Sequence, residues 1–449
     1  MFYIDHIREI FKERFKNKIA YSYVKTFGCQ QNEADSEKIC GFLKDIGFAF
    51  TNDPIIADFI LFNTCAVRHT AQDRIYGHIG NLKKLKKINK NIFIVICGCM
   101  VELEEDKNEI MSKFPYIDFI CGAKSINEFP ELLYQNLTGE RVKKDYSMNA
   151  VQKNKFKSWV PIISGCNNFC SYCIVPFVRG REISRNFDDI INECKNYILN
   201  GTKIITFLGQ NVNSYNFNGI KFQDLLKEVD KIDGDFVIRF MTSHPKDFTN
   251  ELVDVLCECK HFSKQLHLPV QSGNNRILKL MNRKYTREDY IEKIKYAREK
   301  IDDLVITSDI IVGFPSETEE EFEDTISLVK EVKFFSLFNF IYSPRKGTCA
   351  ANMNDFIPYK EKSERMTRLI KIQDEISEDL YSKLIGKTYR SFVEEIFEDF
   401  FVCRTESNLI LKIPKKINNH MIGDTIYAKI VNAGRNVLYG ECLGGKFEG

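Results

Sequence analysis

From residue 159 to about 382, short apolar runs and longer amphipathic runs take turns without a break, and that alternation limits the fold more than any other feature of the chain. The apolar runs IITFLGQNV, FVIRFMTS, QLHLPVQSG, VITSDIIVGFP and FFSLFNFIYSP are of strand length. Between them lie segments such as TREDYIEKIKYAREK and ETEEEFEDTISLVKEV, whose apolar residues recur as on one face of a helix. Strands joined by helices form parallel sheets, so residues 159–382 are expected to build successive βα units in a barrel or partial barrel. In such folds the loops at the carboxyl ends of the strands carry the chemistry. Upstream, over 21–136, YSYVKTFG, FILFNTC, IFIVICG and IDFICG alternate with helical segments such as EADSEKICGFLKDIG and predict an N-terminal parallel α/β domain. Residues 137–158 are polar and aperiodic, as in a linker. Over 383–449 the helical periodicity stops. KTYRSFVEEIF, FVCRTE, NLILKI, DTIYAKIVNA and NVLYGECL, divided by glycine and asparagine turns, predict a small antiparallel β-barrel of the oligonucleotide-binding kind. The expected class is α/β in three parts, preceded by an extension over 1–20.

Composition sets the remaining bounds. A chain of 449 residues is too long for one core, since single cores seldom exceed about 250–300 residues. It has no apolar stretch of roughly 18 residues that could span a bilayer. MFYIDHIREIFKERFKNK reads as an amphipathic helix without the apolar centre of a secretion signal, so a cytoplasmic location is expected. In that setting fifteen cysteines are not a disulfide framework, and metal binding is the leading reading. A net charge of +2 announces no nucleic-acid partner at whole-chain level. The run LKKLKKINK reads first as a solvated helix face.

The cysteines are not evenly spread. GCNNFCSYC holds Cys166, Cys170 and Cys173 in a CxxxCxxC spacing directly after the first strand of the 159–382 block. Zinc takes four tetrahedral ligands, usually as two CxxC pairs, and this run has no evident fourth. Three thiolates on a [4Fe-4S] cluster leave one iron open to bind and polarise a small molecule. Cys29, Cys65 and Cys99 each follow a predicted strand of the N-terminal domain, and three strand ends could converge at one sheet edge. Taken singly, such cysteines are more often buried structural thiols. Of Cys97 and Cys99 only one can easily face the site, and Cys99 is chosen because it is nearer the strand end.

CxxxCxxC with Tyr172 between its last two cysteines resembles the radical S-adenosylmethionine (SAM) superfamily. The order TFGCQQNEADSE, NTCAVR, GCM, GCNNFCSYCIVPFVRGREISR, LGQNVNSY, TSHPKD, HLPVQSGNNRIL, MNRKYTREDY, DIIVGFPSETEEEFEDT and YSPRKGTCAA resembles the bacterial MiaB-type tRNA methylthiotransferases, from about residue 21 to the C-terminus. CQQN with NTCAVR looks like the members that act on N(6)-dimethylallyladenosine beside the tRNA anticodon. Alternatives within the resemblance are enzymes acting on threonylcarbamoyladenosine or on a ribosomal-protein aspartate. From another class, a non-catalytic zinc-bearing RNA-binding protein stays open. The resemblance implies two [4Fe-4S] clusters, an auxiliary one on Cys29, Cys65 and Cys99 that supplies or carries sulfur, and a radical SAM cluster on Cys166, Cys170 and Cys173. It further implies SAM as the source of both the radical and the methyl group, a tRNA substrate, a separate electron donor and sulfur donor, and a monomer.

Other residues are placed by position. The segment LGQNVNSY corresponds to the one that touches the SAM amino group, making Gln210 and Asn211 candidates. Ser243, His244, Gln271, Ser272, Asp309 and Arg345 stand at later strand ends as candidate SAM or adenosine contacts, although a polar residue there equally well caps a turn. Arg179 and Arg181 could face SAM's carboxylate or tRNA phosphate, or pair with Glu182. Trp159 reads as core. The C-terminal block resembles the TRAM domain, a small RNA-binding barrel. Its ten Lys or Arg against eight Asp or Glu make a weak charge argument, and Arg404, Lys412, Lys415, Lys416 and Arg435 are its candidate phosphate contacts. The sequence departs from the family at Ser316 and Cys403, where glycine is common, and at Cys349, where proline is frequent.

Overall fold

The computed structural model describes residues 2–65, 69–415 and 420–443. The chain divides into two compact units. One comprises Met1–Lys153, Ser164–Asn167 and Ile174–Glu182, and the other Asn154–Ile163, Asn168–Cys173 and Ile183–Gly449. No helix of the described residues is long and apolar enough to cross a membrane.

The first unit is a sheet of β1 (Tyr21–Phe27), β2 (Ala49–Phe50), β3 (Phe59–Thr64), β4 (Phe93–Gly98) and β5 (Phe119–Gly122) in the order β2-β1-β3-β4-β5, parallel throughout. Every residue of β3 and β4 is buried, which is why FILFNT and FIVICG are unbroken apolar runs. Flanking it are α1 (Phe2–Arg14), α2 (Gln30–Asp45), α3 (His69–Ile88), α4 (Glu104–Lys113) and α5 (Phe129–Thr138). Helices α1, α2 and α5 cover Phe59, Leu61, Phe93 and Val95, while α3 and α4 cover Ile60, Phe62, Ile94 and Ile96. The N-terminal helix, set apart in the sequence as an extension, belongs to this core. Its Phe11 ring meets Phe48, Phe59 and Phe93 edge-on at 5.4, 5.8 and 5.3 Å.

The second unit is built on six parallel strands in two three-stranded sheets. β6 (Lys157–Pro161) is followed by the two-residue strands β7 (Ile163–Ser164) and β8 (Ile183–Ser184), then β9 (Ile204–Leu208). A short hairpin of β10 (Asn216–Phe217) and β11 (Ile220–Lys221) precedes β12 (Val237–Phe240), β13 (Gln265–His267), β14 (Val305–Val312) and β15 (Ser336–Ile341). The sheets β6-β9-β12 and β13-β14-β15 join through a bridge between Ile238 and Phe262, giving a partial barrel. α6 (Val175–Arg179) lies with the first unit; α7 (Phe187–Leu199), α8 (Phe222–Asp230), α9 (Asn250–Glu258), α10 (Asn275–Leu280), α11 (Arg287–Lys300), α12 (Glu319–Val332) and α13 (Tyr359–Ser382) belong to the second. The outward side chains Val160, Phe207, Ile238, Phe240 and Ile310 bury against Ile190, Leu225, Leu252, Ile294 and Ile326 of these helices. Helices α11 and α12 start at capping boxes, Thr286 with Asp289 and Thr318 with Glu321, so the strand-to-helix turns are set locally.

β16 (Thr388–Ile396), β17 (Phe400–Thr405), β18 (Ile410–Pro414), β19 (Thr425–Gly434) and β20 (Val437–Cys442) close a barrel in the order β16-β17-β18-β20-β19. Four pairings are antiparallel, as the sequence predicts, and β18 with β20 is parallel. That exception follows from β19 crossing to pair with β16, which leaves β20 to enter beside β18 in the same direction. Bulges at Val393/Glu395 and Ile430/Asn432 bend the strands enough to close. This small barrel packs on the amino ends of the six parallel strands. Phe392 joins Phe156, Ile204 and Val237, and Val305 joins Tyr381, Leu384 and Leu409. Around that apolar contact run ion pairs of Arg390 with Asp235 and of Lys157 with Glu394, and one between Lys387 and Asp303 at 2.8 Å.

Candidate functional site

In the first unit the register places Phe27 of β1 beside Thr64 of β3, and Thr64 beside Gly98 of β4. Cys29, Cys65 and Cys99 therefore leave three adjacent strands at one carboxyl edge. Cys29 caps α2, Cys65 follows β3 directly, and Cys99 opens a short 3-10 turn. Gly98 makes the last placement possible. Its φ is +101°, and a Cβ there would meet the Thr64 carbonyl oxygen at 2.3 Å. Asn32 ties the strand ends together: Nδ2 donates to Asn63 Oδ1 at 2.8 Å and to the Thr64 carbonyl at 3.2 Å, and Oδ1 accepts from Cys29 Sγ at 3.2 Å. Arg179 of α6 is buried here, donating to Asp35 Oδ2 at 2.9 Å. Burial pushes the Cys99 thiol up to about 12, although the Arg179 guanidinium pulls the other way. Such a thiol stays protonated unless a cation takes the proton's place. Cys97, two residues earlier, lies in the apolar cluster under α1 and α2.

In the CxxxCxxC loop, Cys170 and Cys173 belong to the second unit. Cys166 follows Gly165, whose φ is +75° and whose missing Cβ admits the Arg181 carbonyl at 2.1 Å. Its N–H donates to the Gly180 carbonyl at 3.2 Å. Cys170 and Cys173 are half-buried and joined by a tight turn, Cys173 N–H to Cys170 carbonyl at 2.9 Å. The segment after α10 grips the loop. Met281 accepts from Ser171 N–H at 3.0 Å, Asn282 Nδ2 donates to the Phe169 carbonyl at 2.9 Å, and Arg283 Nη1 reaches Cys170 Sγ at 3.4 Å. Arg283 is buried, and its other partners are the Pro269 carbonyl at 2.8 Å and the Tyr285 hydroxyl at 2.9 Å. Sequence reading quoted MNRKYTREDY without giving Arg283 or Tyr285 a role; a basic and an aromatic residue beside a strand-end loop was the available signal.

The candidates at the strand ends of the second unit separate into two groups. Some are occupied in holding the fold. Asn211 donates to Asp247 Oδ2 at 2.6 Å and accepts from His244 N–H at 3.1 Å, and Ser272 Oγ accepts from Asn274 N–H at 3.2 Å. Others keep polar atoms without a partner although buried: Ser243 Oγ and His244 Nε2, as do Asn213 after β9 and Ser171 in the cysteine loop, with Nδ2, Oδ1 and Oγ. Burial holds the His244 imidazole neutral by pushing it down to about 2, while its Nδ1 accepts from Lys246 N–H at 3.1 Å. Gln271 is buried at φ +73° and bridges β14, donating to the Asp309 carbonyl and accepting from Ile311 N–H. Thr242, a β-branched residue at φ +67°, is another strained position at these strand ends. Asp309 Oδ1 lies 3.5 Å from His267 Nε2. Gln210 and Arg345 are half-buried, as is Trp159 on β6. Ser316 adopts φ +67°, the backbone region for which glycine is suited, and Cys403 is fully buried in the small barrel. Three thiols together with orphaned polar atoms are a donor set that suits a cluster and a polar cosubstrate. Among the described residues no three His, Cys, Asp or Glu side chains are gathered closely enough to hold a metal ion, so each triad shares a strand-end edge or loop without closing around one.

On the small barrel, Lys412 Nζ lies 5.2 Å from the Phe400 ring centre, Phe400 stacks on Phe397 at 4.8 Å, and Lys412 is in register with Tyr439. Lys415 is exposed. Arg404 turns to Glu394 at 3.0 Å and Arg435 pairs with Asp374 at 2.8 Å. Lys416 lies outside the described residues.

Comparison with known proteins places these features. Residues 160–329 match the Radical SAM superfamily and residues 21–122 match the Uncharacterized protein family UPF0004. The fold has solved counterparts. The radical S-adenosylmethionine methyltransferase TsrM of Kitasatospora setae superposes with a TM-score of 0.55 at 12% identity, over 74% of this chain and 75% of that one. The cobalamin-dependent S-adenosylmethionine radical enzyme OxsB superposes with a TM-score of 0.51 at 11% identity, over 80% of this chain and 57% of that one. Much nearer in sequence is the tRNA-2-methylthio-N(6)-dimethylallyladenosine synthase of Thermodesulfovibrio yellowstonii, 43% identical over 94% of this chain and 98% of that protein. Enzymes of the same name from Acetivibrio thermocellus (41% identical; 97% of this chain, 93% of that protein) and Caldicellulosiruptor saccharolyticus (42%; 98% and 97%) are similar. With identities of 41–43% sustained over nearly the full length of both partners, the chain belongs to the family of tRNA-2-methylthio-N(6)-dimethylallyladenosine synthases within the radical SAM superfamily.

Proposed function

We infer that this chain is a transferase that replaces the C2 hydrogen of N(6)-dimethylallyladenosine, next to the tRNA anticodon, with a methylthio group. The observation that carries this reading is the full-length likeness to enzymes bearing that name, in a chain with two separate cysteine triads at strand ends. A [4Fe-4S] cluster with SAM, when bound, supplies the one-electron chemistry that removes hydrogen from an unactivated C–H bond, a task beyond any side-chain acid or base. Cys166, Cys170 and Cys173 are assigned to that cluster, and Cys29, Cys65 and Cys99 to a second, sulfur-bearing one. Overall a C–H bond is exchanged for C–S and S–CH₃ bonds, with one SAM consumed for the hydrogen and one for the methyl group; the sulfur and the electrons come from outside the chain.

The chain's own residues do the holding and shielding. Arg283 keeps positive charge against Cys170 Sγ, and Arg179 does the same near Cys99. Neutral His244, whose Nδ1 accepts from Lys246 N–H, presents its Nε2–H to the carboxylate of SAM, and Ser243 presents its hydroxyl to the amino group, with Gln210, Gln271 and Arg345 as further candidates at the strand ends. The small barrel, closing the amino ends of the strands, excludes water from below. Its Phe397, Phe400, Lys412 and Tyr439 alternate aromatic and basic groups as single-stranded RNA surfaces do.

The test is nucleoside mass spectrometry of tRNA from a strain whose own methylthiolating enzyme has been deleted. Expression of the wild type should convert N(6)-dimethylallyladenosine to its 2-methylthio form, whereas a Cys166→Ala/Cys170→Ala/Cys173→Ala variant should leave it unconverted. A 2-methylthio mark on threonylcarbamoyladenosine instead would overturn the substrate.

A further inference from the structure

In β14 and β15 the register pairs Asp309 with Phe338 and Ile311 with Phe340. Paired residues of a parallel ladder point to the same face. That face is the inside of the partial barrel, because the alternate residues Ile310 and Val312 are buried against the helices. Contacts agree: His267 of β13 lies edge-on to Phe338 at 5.7 Å, hydrogen-bonds Thr307 Oγ1 at 3.0 Å, and stands 3.5 Å from Asp309. Yet Phe338 is 48% exposed and Phe340 38% exposed, large apolar side chains that reach solvent inside a barrel. They are two residues apart on one strand, hence roughly 6.6 Å, and continuous with the mouth of the SAM site through Gln271, which hydrogen-bonds Asp309 and Ile311.

We propose that Phe338 and Phe340 form the platform that receives the prenylated adenine, one ring facing the purine and the next the branched apolar substituent, and that this pair together with Asp309 sets selectivity for the prenyl group. This rests on the function proposed above. The chemistry of the face points to that occupant. A flat purine gains from stacking, and a dimethylallyl group gains from apolar contact. Asp309 can accept a hydrogen bond from an adenine N–H, and none of the inward residues of β13, β14 and β15 is Lys or Arg. An adenine carrying a carboxylate, as threonylcarbamoyladenosine does, would bring a like charge to the Asp309 carboxylate, so the site discriminates by repulsion as well as attraction.

The experiment uses the anaerobically reconstituted full-length enzyme and anticodon stem-loop RNAs that differ only in the target base: unmodified, prenylated or threonylcarbamoylated adenosine. Wild type should bind the prenylated RNA roughly tenfold more tightly than the unmodified one. The double variant Phe338→Ala/Phe340→Ala should bring that ratio to within about twofold; of the single variants, the one that loses the ring facing the prenyl group should lower the ratio and the other should weaken both RNAs alike, and Asp309→Asn should improve binding of the threonylcarbamoylated RNA. Iron per chain and the thermal midpoint report whether each variant is folded; if the double alanine variant is not, Phe338→Leu/Phe340→Leu decides, and it should keep part of the preference. A wild-type ratio in the folded double variant would overturn the platform while leaving the proposed function standing. Failure of the wild type to methylthiolate the prenylated RNA would instead remove the function, and the platform with it.

Discussion

A buried guanidinium stands beside a cysteine of each triad, but the two arginines are not equivalent. Arg179, near Cys99, has the Asp35 carboxylate as its counter-ion. Arg283, at Cys170, has only carbonyl, phenol and sulfur partners among the described residues. Net positive charge is therefore greater at Cys170, which favours a more negative occupant there. The same logic of burial acts on Glu37 of α2. Its carboxyl accepts from Lys153 N–H at 3.1 Å, yet burial outweighs that bond and raises it to about 7 from 4.5. The folded state thus holds a proton there that the unfolded chain has released. The stabilisation is full below about pH 4.5 and is lost as pH rises through about 7, by roughly 3 kcal/mol at most. Glu37→Gln should flatten this part of the profile and be the more stable form at pH 8, as measured by denaturant unfolding at pH 5.5, 7 and 8.

At the scale of elements, the amino ends of β6, β9, β12 and β14 and the small barrel hold each other through one cationic side chain above all. Arg239 of β12 points into the partial barrel, where its Nη2 donates to the carbonyls of Thr405 and Glu406 at 2.9 and 3.3 Å. Burial and the nearby Arg404 pull its guanidinium down to about 9. Removing it leaves two carbonyls and a cavity in a closed interface. Arg239→Ala should cost about 2 kcal/mol or more and raise amide exchange in Phe400–Thr405 before it does so in β9. Equal exchange in the two strands would mean that Arg239 does not couple them.

For the whole molecule, two cysteine triads on separate strand-end edges predict independent clusters. Reconstituted wild type should carry about eight iron atoms per chain, and replacing Cys166, Cys170 and Cys173 with alanine, or Cys29, Cys65 and Cys99, should leave about four in either case. A wild-type count near four, falling to zero in the first variant, would leave the chemistry without its sulfur source.

Much of this was written in local sequence. Unbroken apolar runs mark β3 and β4 because parallel strands are covered on both faces, and TREDY and TEEEF announce helices because capping boxes act within four residues. CxxxCxxC identified one candidate cluster loop by spacing alone. What sequence could not decide was whatever depends on which strands lie side by side. Cys29, Cys65 and Cys99 are neighbours only because β1, β3 and β4 are adjacent and in register, and α1 became core only because Phe11 found Phe48, Phe59 and Phe93. Arg404, read as a phosphate contact, faces Glu394, and Arg283 and Phe338, unassigned in the sequence, stand at Cys170 and inside the barrel. Periodicity reports which face of an element is apolar, because burial is local and additive. It cannot report what that face meets, because partners far apart in the chain are chosen by packing.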